Sequence, residues 1–242
     1  MINKLKLSNR LLKVSSYITK GAYFADIGSD HAYLPCHVCL TDPTAKAIAG
    51  EINEGPFESA KNTIDTYDLN ERVDVRLGNG LEILAENEVN QIVIAGMGGS
   101  LIKTILEEGN SKLSNVERII AQPNVEARNV RRWFNENGYI LTNEAIVEEN
   151  EHIYEILVAD KDSTNQLYSD EYMEKELLFG PLLLKNKSAE FYKKWTLEHR
   201  KLVRVITQMK SASVPDLMKM AIFENELAWI EEVLQNEKQD PE

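Results

Sequence analysis

The sequence predicts an α/β fold: a mostly parallel sheet with helices on both faces, followed by an antiparallel helical hairpin. Three observations carry this. From Ala22 to about Asp160, strand-like apolar runs alternate with segments of helical spacing. Near the end of that stretch two strand-like runs, Tyr139 to Val147 and Ile153 to Ala159, are joined only by Glu148-Glu149-Asn150-Glu151-His152. With no helix between them they pair as an antiparallel hairpin at the sheet edge. Beyond the polar linker Asp162-Ser163-Thr164-Asn165 the strand pattern stops and long helical stripes replace it. The expected domains are residues 1–160 and 161–242.

Taken in order, Leu5 to Ile18 places Leu7, Leu11, Leu12, Val14 and Ile18 on one face of an amphipathic helix. Ala22 to Ile27 is the first strand and ends at the Gly28 turn, with a helix-like segment after it. Thr44 to Glu51 is the second strand, Pro56 to Tyr67 a helix, and Val73 to Leu77 the third strand, entering Gly78-Asn79-Gly80-Leu81. Gln91 to Ala95 enters Gly96-Met97-Gly98-Gly99, and Arg118 to Ala121 enters Gln122-Pro123-Asn124 ahead of a helix over 125–137. In the second half, residues 171–179 are helical and Gly180-Pro181 interrupts them. Ser188 caps a long helix with a stripe of Phe191, Trp195, Leu202, Val205, Ile206 and Met209. Pro215 starts the next helix, whose seam is Leu217, Met220, Leu227, Ile230 and Leu234. Two long helices joined by a short turn lie antiparallel.

Composition sets bounds. A chain of 242 residues supports one large domain and an appendage. No apolar run reaches about 18 residues, and no signal peptide is evident, so neither a membrane span nor secretion is expected. Cys36 and Cys39 form Cys-x-x-Cys without a second Cys or His pair nearby, so a zinc site is not expected and small apolar thiols on a helix are. Lacking a disulfide framework, the chain reads as cytoplasmic. Its formal net charge of −12 opposes phosphate in bulk. Yet the cations cluster: Lys4, Lys6, Arg10, Lys13 and Lys20 near the start, Arg128, Arg131 and Arg132 on one helix, and Lys193, Lys194, Arg200, Lys201 and Arg204 in the tail. Two readings stand, a localised nucleic-acid surface or solvated helix faces.

Several strands end in acids or turn-formers at what would be one sheet edge, where open α/β sheets bind ligands. Asp26-x-Gly28 resembles the first motif of class I methyltransferases, which bind S-adenosylmethionine. Its fit to the dinucleotide pattern G-x-G-x-x-G is poor, because Asp30 and Ala32 stand where further glycines belong. Glu51, about twenty residues past Gly28, sits where such folds hold ribose hydroxyls. Together, Asp26-Ile-Gly-Ser-Asp-His-Ala-Tyr-Leu-Pro35, Ala49-Gly-Glu51, Gly78-Asn-Gly-Leu81, Ile94-Ala-Gly-Met-Gly-Gly99 and Gln122-Pro-Asn124 resemble the bacterial tRNA (adenine-22-N1)-methyltransferase family, TrmK.

The resemblance implies a Rossmann-like class I methyltransferase domain, S-adenosylmethionine as donor and tRNA as acceptor, with no metal. It places Asp26, Gly28, Asp30 and His31 along the methionine part of the cofactor. Glu51 falls at the ribose, Ile52 near the adenine, Asn79 and Gly80 against the adenine, and Gly96, Met97, Gly98 and Gly99 beside the methyl group. The Asn/Asp-Pro-Pro-Tyr motif of many N6-adenine methyltransferases is absent at that last place. The catalytic candidates are therefore the Gly96 backbone carbonyl and Met97 turn, with Asp30 and His31 as acid–base alternatives. His31 otherwise packs at a helix N-terminus. Tyr33 either stacks on the target base or joins the core, and Asn124 either touches substrate or caps the following helix. The hairpin is an RNA-gripping arm, a brace or a dimer contact, giving a monomer or weak homodimer. Three other functions compete: methylation of a small molecule or protein, non-catalytic S-adenosylmethionine sensing, and a nicotinamide dehydrogenase.

Overall fold

A computed structural model describes residues 5–162, 167–212 and 214–235. Lys4 and Ser163 to Asn165 lie outside the described residues. The chain divides into two compact units, Met1–Leu167 and Tyr168–Glu242.

In the first unit seven strands form one sheet among the described residues: β1 (Tyr23–Ile27), β2 (Lys46–Glu51), β3 (Val73–Leu77), β4 (Gln91–Gly98), β5 (Arg118–Val125), β6 (Tyr139–Glu149) and β7 (His152–Lys161). Their order is β3-β2-β1-β4-β5-β7-β6. The pairs among β1 to β5 are parallel, while β7 runs antiparallel to both β5 and β6. The chain reverses its build direction between β1 and β4, which opens a crevice at their C-terminal ends.

The helices of this unit are α1 (Asn9–Ser15), α2 (Tyr33–Thr41), α3 (Glu54–Thr66), α4 (Gly99–Glu108) and α5 (Ala127–Glu136). One core cluster joins Val14 of α1, Leu34, Cys36 and Cys39 of α2, and Ala60 and Ile64 of α3 to Phe24, Ala47, Ala49, Val93, Ile120 and Val158 of the sheet. On α5, Trp133 and Phe134 pack against Tyr139 at the start of β6, and the Trp133 and Tyr139 rings stack at 5.9 Å. Cys36 and Cys39 are free and buried, and burial pushes their thiols up to about 12 and about 11, so they behave as inert apolar groups.

Several elements differ in length from the sequence reading. The first helix is shorter than Leu5–Ile18 because Ser8 caps it, accepting from the Leu11 N–H at 3.2 Å. Ser15 and Ser16 then turn their hydroxyls back onto Leu12 and Lys13 carbonyls at its end. Strands β4 and β5 run further than Ala95 and Ala121, because their pairing resumes past a bulge at Gly96, with Met97 opposite Pro123 and Gly98 opposite Val125.

The second unit contains α6 (Met173–Phe179), α7 (Pro181–Lys185), α8 (Ala189–Lys210) and α9 (Leu217–Gln235). Ser188 caps α8 through the Phe191 N–H, and Asp216, one residue after Pro215, caps α9 through the Lys219 N–H at 3.0 Å. The hairpin is antiparallel: Lys210 pairs with Glu224 near the turn, and His199 with Glu231 further along. Phe179, Phe191 and Trp195 form its aromatic core, with Phe179 and Trp195 centroids 4.3 Å apart. Among the described residues no helix is long and apolar enough to cross a membrane.

Candidate active site

The site begins where β1 ends. Gly28 has φ +70°, and the N–H groups of Gly28 and Ser29 both donate to the Gly50 carbonyl at 3.0 Å. A Cβ on Gly28 would stand 2.3 Å from the Met97 Cε, so glycine permits both the backbone conformation and the approach of the turn after β4. Asp26, one strand residue earlier than Ile27, is 3% exposed and accepts from the Ser29 hydroxyl at 2.6 Å. Burial, reinforced by the nearby charges of Glu51 and Asp30, pushes its carboxyl up to about 7 despite the Ser29 bond.

The segment after Gly28 is not helical from the start. Asp30, His31 and Ala32 occupy left-handed conformations with φ of 50°, 73° and 57°, and α2 begins only at Tyr33. Non-glycine residues rarely adopt this conformation, and surrounding contacts must hold it. The His31 N–H donates to Glu51 Oε1 at 3.2 Å, tying the turn to the end of β2. The His31 ring lies between Ser59 Oγ on α3 and Asp30 Oδ1, with Nδ1 at 2.5 Å and Nε2 at 3.3 Å respectively. Glu51 is buried, which raises its pKa, while the N–H groups of His31 and Asp30 oppose the shift. Tyr33 is 41% exposed with its ring 5.5 Å from that of His31, so it belongs to the surface and not to the core. Ile52 and Asn79 are exposed, and Gly80 stands half-buried.

A second cluster surrounds the bulge. The Gly96 N–H donates to Gln122 Oε1 at 3.0 Å, and the Gly96 carbonyl accepts from Asn124 Nδ2 at 2.8 Å. Gln122 Nε2 donates to Asn124 Oδ1 at 3.1 Å. Arg10 Nη1 also donates to Gln122 Oε1, and its guanidinium lies 5.3 Å from the Tyr154 ring centroid. Two sequence expectations change here. Asn124 does not cap α5: that helix has Glu126 in the left-handed region at its N-cap and no side-chain cap, because the Asn124 amide is engaged with Gly96. Arg10 is not an outlying surface cation but part of the wall beside Gly96.

Of the other cations, Arg131 is fully buried and paired with Glu144 and Glu155 of the β6–β7 hairpin, which removes it from any phosphate-facing set. Arg128 and Arg132 are half-buried on α5. In the second unit Arg200, Lys201 and Arg204 are exposed on α8, Lys193 is exposed, and Lys194 is half-buried with Nζ 5.3 Å from the Trp195 ring centroid. Among the described residues no group of three His, Cys, Asp or Glu side chains is arranged to hold a metal ion. Sequence reasoning named no role for Gln122, Ser29, Ser59 or Tyr154. The available signal for Gln122 was an amide on a strand whose neighbours Ile119, Ile120 and Ala121 are all apolar.

Comparison with known proteins decides the family. The profile described as "TrmK: tRNA (adenine(22)-N(1))-methyltransferase" matches residues 24–232. The chain belongs to the TrmK family. It is 44% identical over 223 residues to the tRNA (adenine(22)-N(1))-methyltransferase of Bacillus subtilis, covering 92% of this chain and 94% of that one. The solved B. subtilis M1A22 tRNA methyltransferase TrmK superposes with a TM-score of 0.89 at 42% identity, over 96% of this chain and all of that one. A Streptococcus pneumoniae protein described as a tRNA (m1A22) methyltransferase, solved in complex with S-adenosyl-L-methionine, superposes with a TM-score of 0.83 at 39% identity over 95% of this chain and all of that one. The TrmK sheet of this chain is thus the class I methyltransferase sheet that the resemblance implied, with the expected antiparallel hairpin at its edge, and the dehydrogenase alternative falls.

Proposed function

We propose that this TrmK chain transfers a methyl group from S-adenosylmethionine to N1 of adenine 22 in tRNA, in the cytoplasm, acting as a monomer or weak homodimer. The observation that carries the reading is the pair of buried carboxyls at the ends of adjacent strands, Asp26 and Glu51, both pushed toward their neutral forms beside the Gly28 turn. Such a pair is poorly satisfied alone. It suits a cationic ligand bearing an ammonium group and a ribose diol, since a carboxylate accepts two hydroxyl hydrogen bonds at once.

When bound, the cofactor supplies an electrophilic methyl on sulfur. The chain's part is binding, alignment and exclusion of water. In this reading Asp26, Gly28, Asp30 and His31 border the methionine moiety, Glu51 holds the ribose, Ile52, Asn79 and Gly80 border the adenine, and Gly96 to Gly99 border the methyl group. Adenine N1 is already nucleophilic, so no covalent intermediate is required. Positioning alone is worth up to roughly 7–11 kcal/mol. Methylation leaves the base cationic. The Gly96 carbonyl keeps one lone pair beyond its bond from Asn124, which can receive an N6 hydrogen. N1 lies in the pairing edge of a duplex, so the target nucleotide is extruded at a cost of a few kcal/mol. Contact with tRNA falls to Arg10, Tyr33, Asn124, Arg128 and Arg132 in the first unit, and to Lys193, Lys194, Arg200, Lys201 and Arg204 in the second.

The test is incubation with methyl-labelled donor and unmodified tRNA, followed by mass mapping of the nucleosides. One methyl on N1 of adenine 22 is expected. Transfer to metabolites or protein but to no RNA overturns the proposal, as does tight donor binding without turnover on a full tRNA pool.

A further inference from the structure

The amide network around Gly96 fixes the orientation of an exposed side chain at the methyl-transfer end of the site. Gln122 is fully buried, and the Gly96 N–H can only donate, so the Gln122 atom facing it is Oε1. Its other atom is then Nε2, a donor, and the Asn124 atom it meets at 3.1 Å is Oδ1. That leaves Nδ2 of Asn124 for the Gly96 carbonyl, a pure acceptor, at 2.8 Å. The Arg10 guanidinium, also a pure donor, closes the other side of Gln122 Oε1. The chain of donors and acceptors has one consistent solution.

Each atom of the Asn124 amide is half used. Oδ1 accepts one bond and keeps a lone pair; Nδ2 donates one hydrogen and keeps another. Asn124 is exposed, and its bond to Gly96 places it one residue from Met97, which lies over the Gly28 turn. An exposed planar amide offering one acceptor and one donor matches the N6 hydrogen and N7 acceptor of adenine, a pairing that uses the Hoogsteen edge and leaves N1 uncovered.

We propose that Asn124, oriented by Gln122, reads N6 and N7 of the target adenine, and that this contact both selects adenine and presents N1 to the methyl group. This rests on the adenine N1-methylation reading above. Guanine and hypoxanthine carry an oxygen acceptor where adenine carries the N6 donor, so the same amide rejects them at Oδ1. Gln122 is a positioning residue, because it acts through Asn124 and Gly96.

The test uses the full chain and synthetic tRNA carrying either adenine or 7-deazaadenine at the target position. The deaza base keeps N1 and N6 but carries C7–H in place of the N7 acceptor and has a more basic N1, so the comparison with Asn124→Ala isolates the N7 contact. The wild type is expected to lose roughly tenfold in kcat/KM on the deaza tRNA. Asn124→Ala is expected to lose a similar factor on adenine tRNA but to show no further loss with the deaza base. Its S-adenosylmethionine affinity by calorimetry stays within about twofold, since the cofactor is held by other residues. Gln122→Glu retains Oε1 but deletes the donor to Asn124, and it is expected to lose the deaza discrimination as well. A wild type indifferent to 7-deazaadenine, or an Asn124→Ala variant that discriminates as the wild type does, overturns the inference while leaving N1 methylation intact. A wild type inert on unmodified tRNA overturns the functional reading itself, and this inference with it.

Discussion

Replacing Asp26 by asparagine tests whether the end of β1 holds a neutral carboxyl. Burial, with Glu51 and Asp30 nearby, raises this group from 3.8 to about 7. Protonation therefore favours the folded chain. The stability it contributes is complete below the ordinary carboxylate range and is lost as pH rises through about 7. Between pH 5 and 8 the loss amounts to roughly 3 kcal/mol at 1.36 kcal/mol per pH unit. Glu51, also raised, acts in the same direction. Asp42 and Glu88 act oppositely: hydrogen bonds hold both at about 2, so their contribution is in place by pH 5 and constant above it. Asp26→Asn keeps the side-chain shape and an acceptor for the Ser29 hydroxyl but carries no charge at any pH. Relative to the wild type, the variant should gain roughly 3 kcal/mol in unfolding free energy between pH 5 and 8, or about 10 °C in Tm. Calorimetry and denaturant titration at each pH measure this. Wild-type and variant curves that run parallel across the window would refute the reasoning. A cationic ligand at Asp26 also draws off its proton, so S-adenosylmethionine binding near pH 7 should release protons from the wild type and none from the variant. Binding enthalpies in buffers of different ionisation heat report that directly.

Other outcomes follow from single contacts. Arg131→Met leaves Glu144 and Glu155 buried without their partner, and urea unfolding should show a loss of about 3–5 kcal/mol; unchanged stability would mean that the carboxylates do not depend on the guanidinium. Gly99→Ala puts a Cβ 2.1 Å from the Glu126 carbonyl oxygen, a backbone atom, and should cost about 1–3 kcal/mol. Gly55→Ala, with nothing within 4 Å, should instead gain about 0.5–1 kcal/mol, and equal effects at the two glycines would count against the packing argument. If α8 meets phosphate, tRNA affinity should fall steeply with salt, and neutralising Arg200, Lys201 and Arg204 should each lower the log–log slope by about one. A slope untouched by all three changes would move the RNA surface elsewhere.

The alternation of strands and helices was legible because β1, β2, β4 and β5 each contain a short apolar run followed by glycine, proline or an acid. The β6–β7 hairpin was legible for a different reason, since five residues leave no room for a crossover helix. What escaped the sequence depends on contacts between distant segments. Arg131 reads as one of three cations on a helix, but its partners lie on β6 and β7, 13 and 24 residues away, and only the folded hairpin brings them together. Its position beside Val130, Trp133 and Phe134 was the faint indication that it faces inward. The extension of β4 past Ala95 depends on re-pairing with β5 beyond Gly96, which no local pattern shows. The left-handed run at Asp30 to Ala32 escaped because none of the three residues is glycine, and its support comes from Glu51 and Ser59.

That support ties the shape of the turn to its occupant. Non-glycine residues in the left-handed region cost of order 1–3 kcal/mol each, so three in succession persist only where other contacts over-determine them. Glu51 does part of this through the His31 N–H, and the same carboxylate is the proposed ribose holder. Glu51 stands at the C-terminal end of β2, where desolvation already disfavours its charge. A diol donating to its carboxylate stabilises the ionised form, and an ionised Glu51 grips the His31 N–H more firmly than a neutral one. In the proposed reading, cofactor binding and the strained turn therefore reinforce one another, through the negative charge on Glu51 that its burial disfavours. The methyl side is built otherwise. There Gln122 accepts from the Gly96 N–H, Asn124 donates to the Gly96 carbonyl, and Arg10 donates to Gln122. In the proposed reading the Glu51 side of the crevice responds to the cofactor, whereas the Gly96 side is already held by hydrogen bonds within the chain.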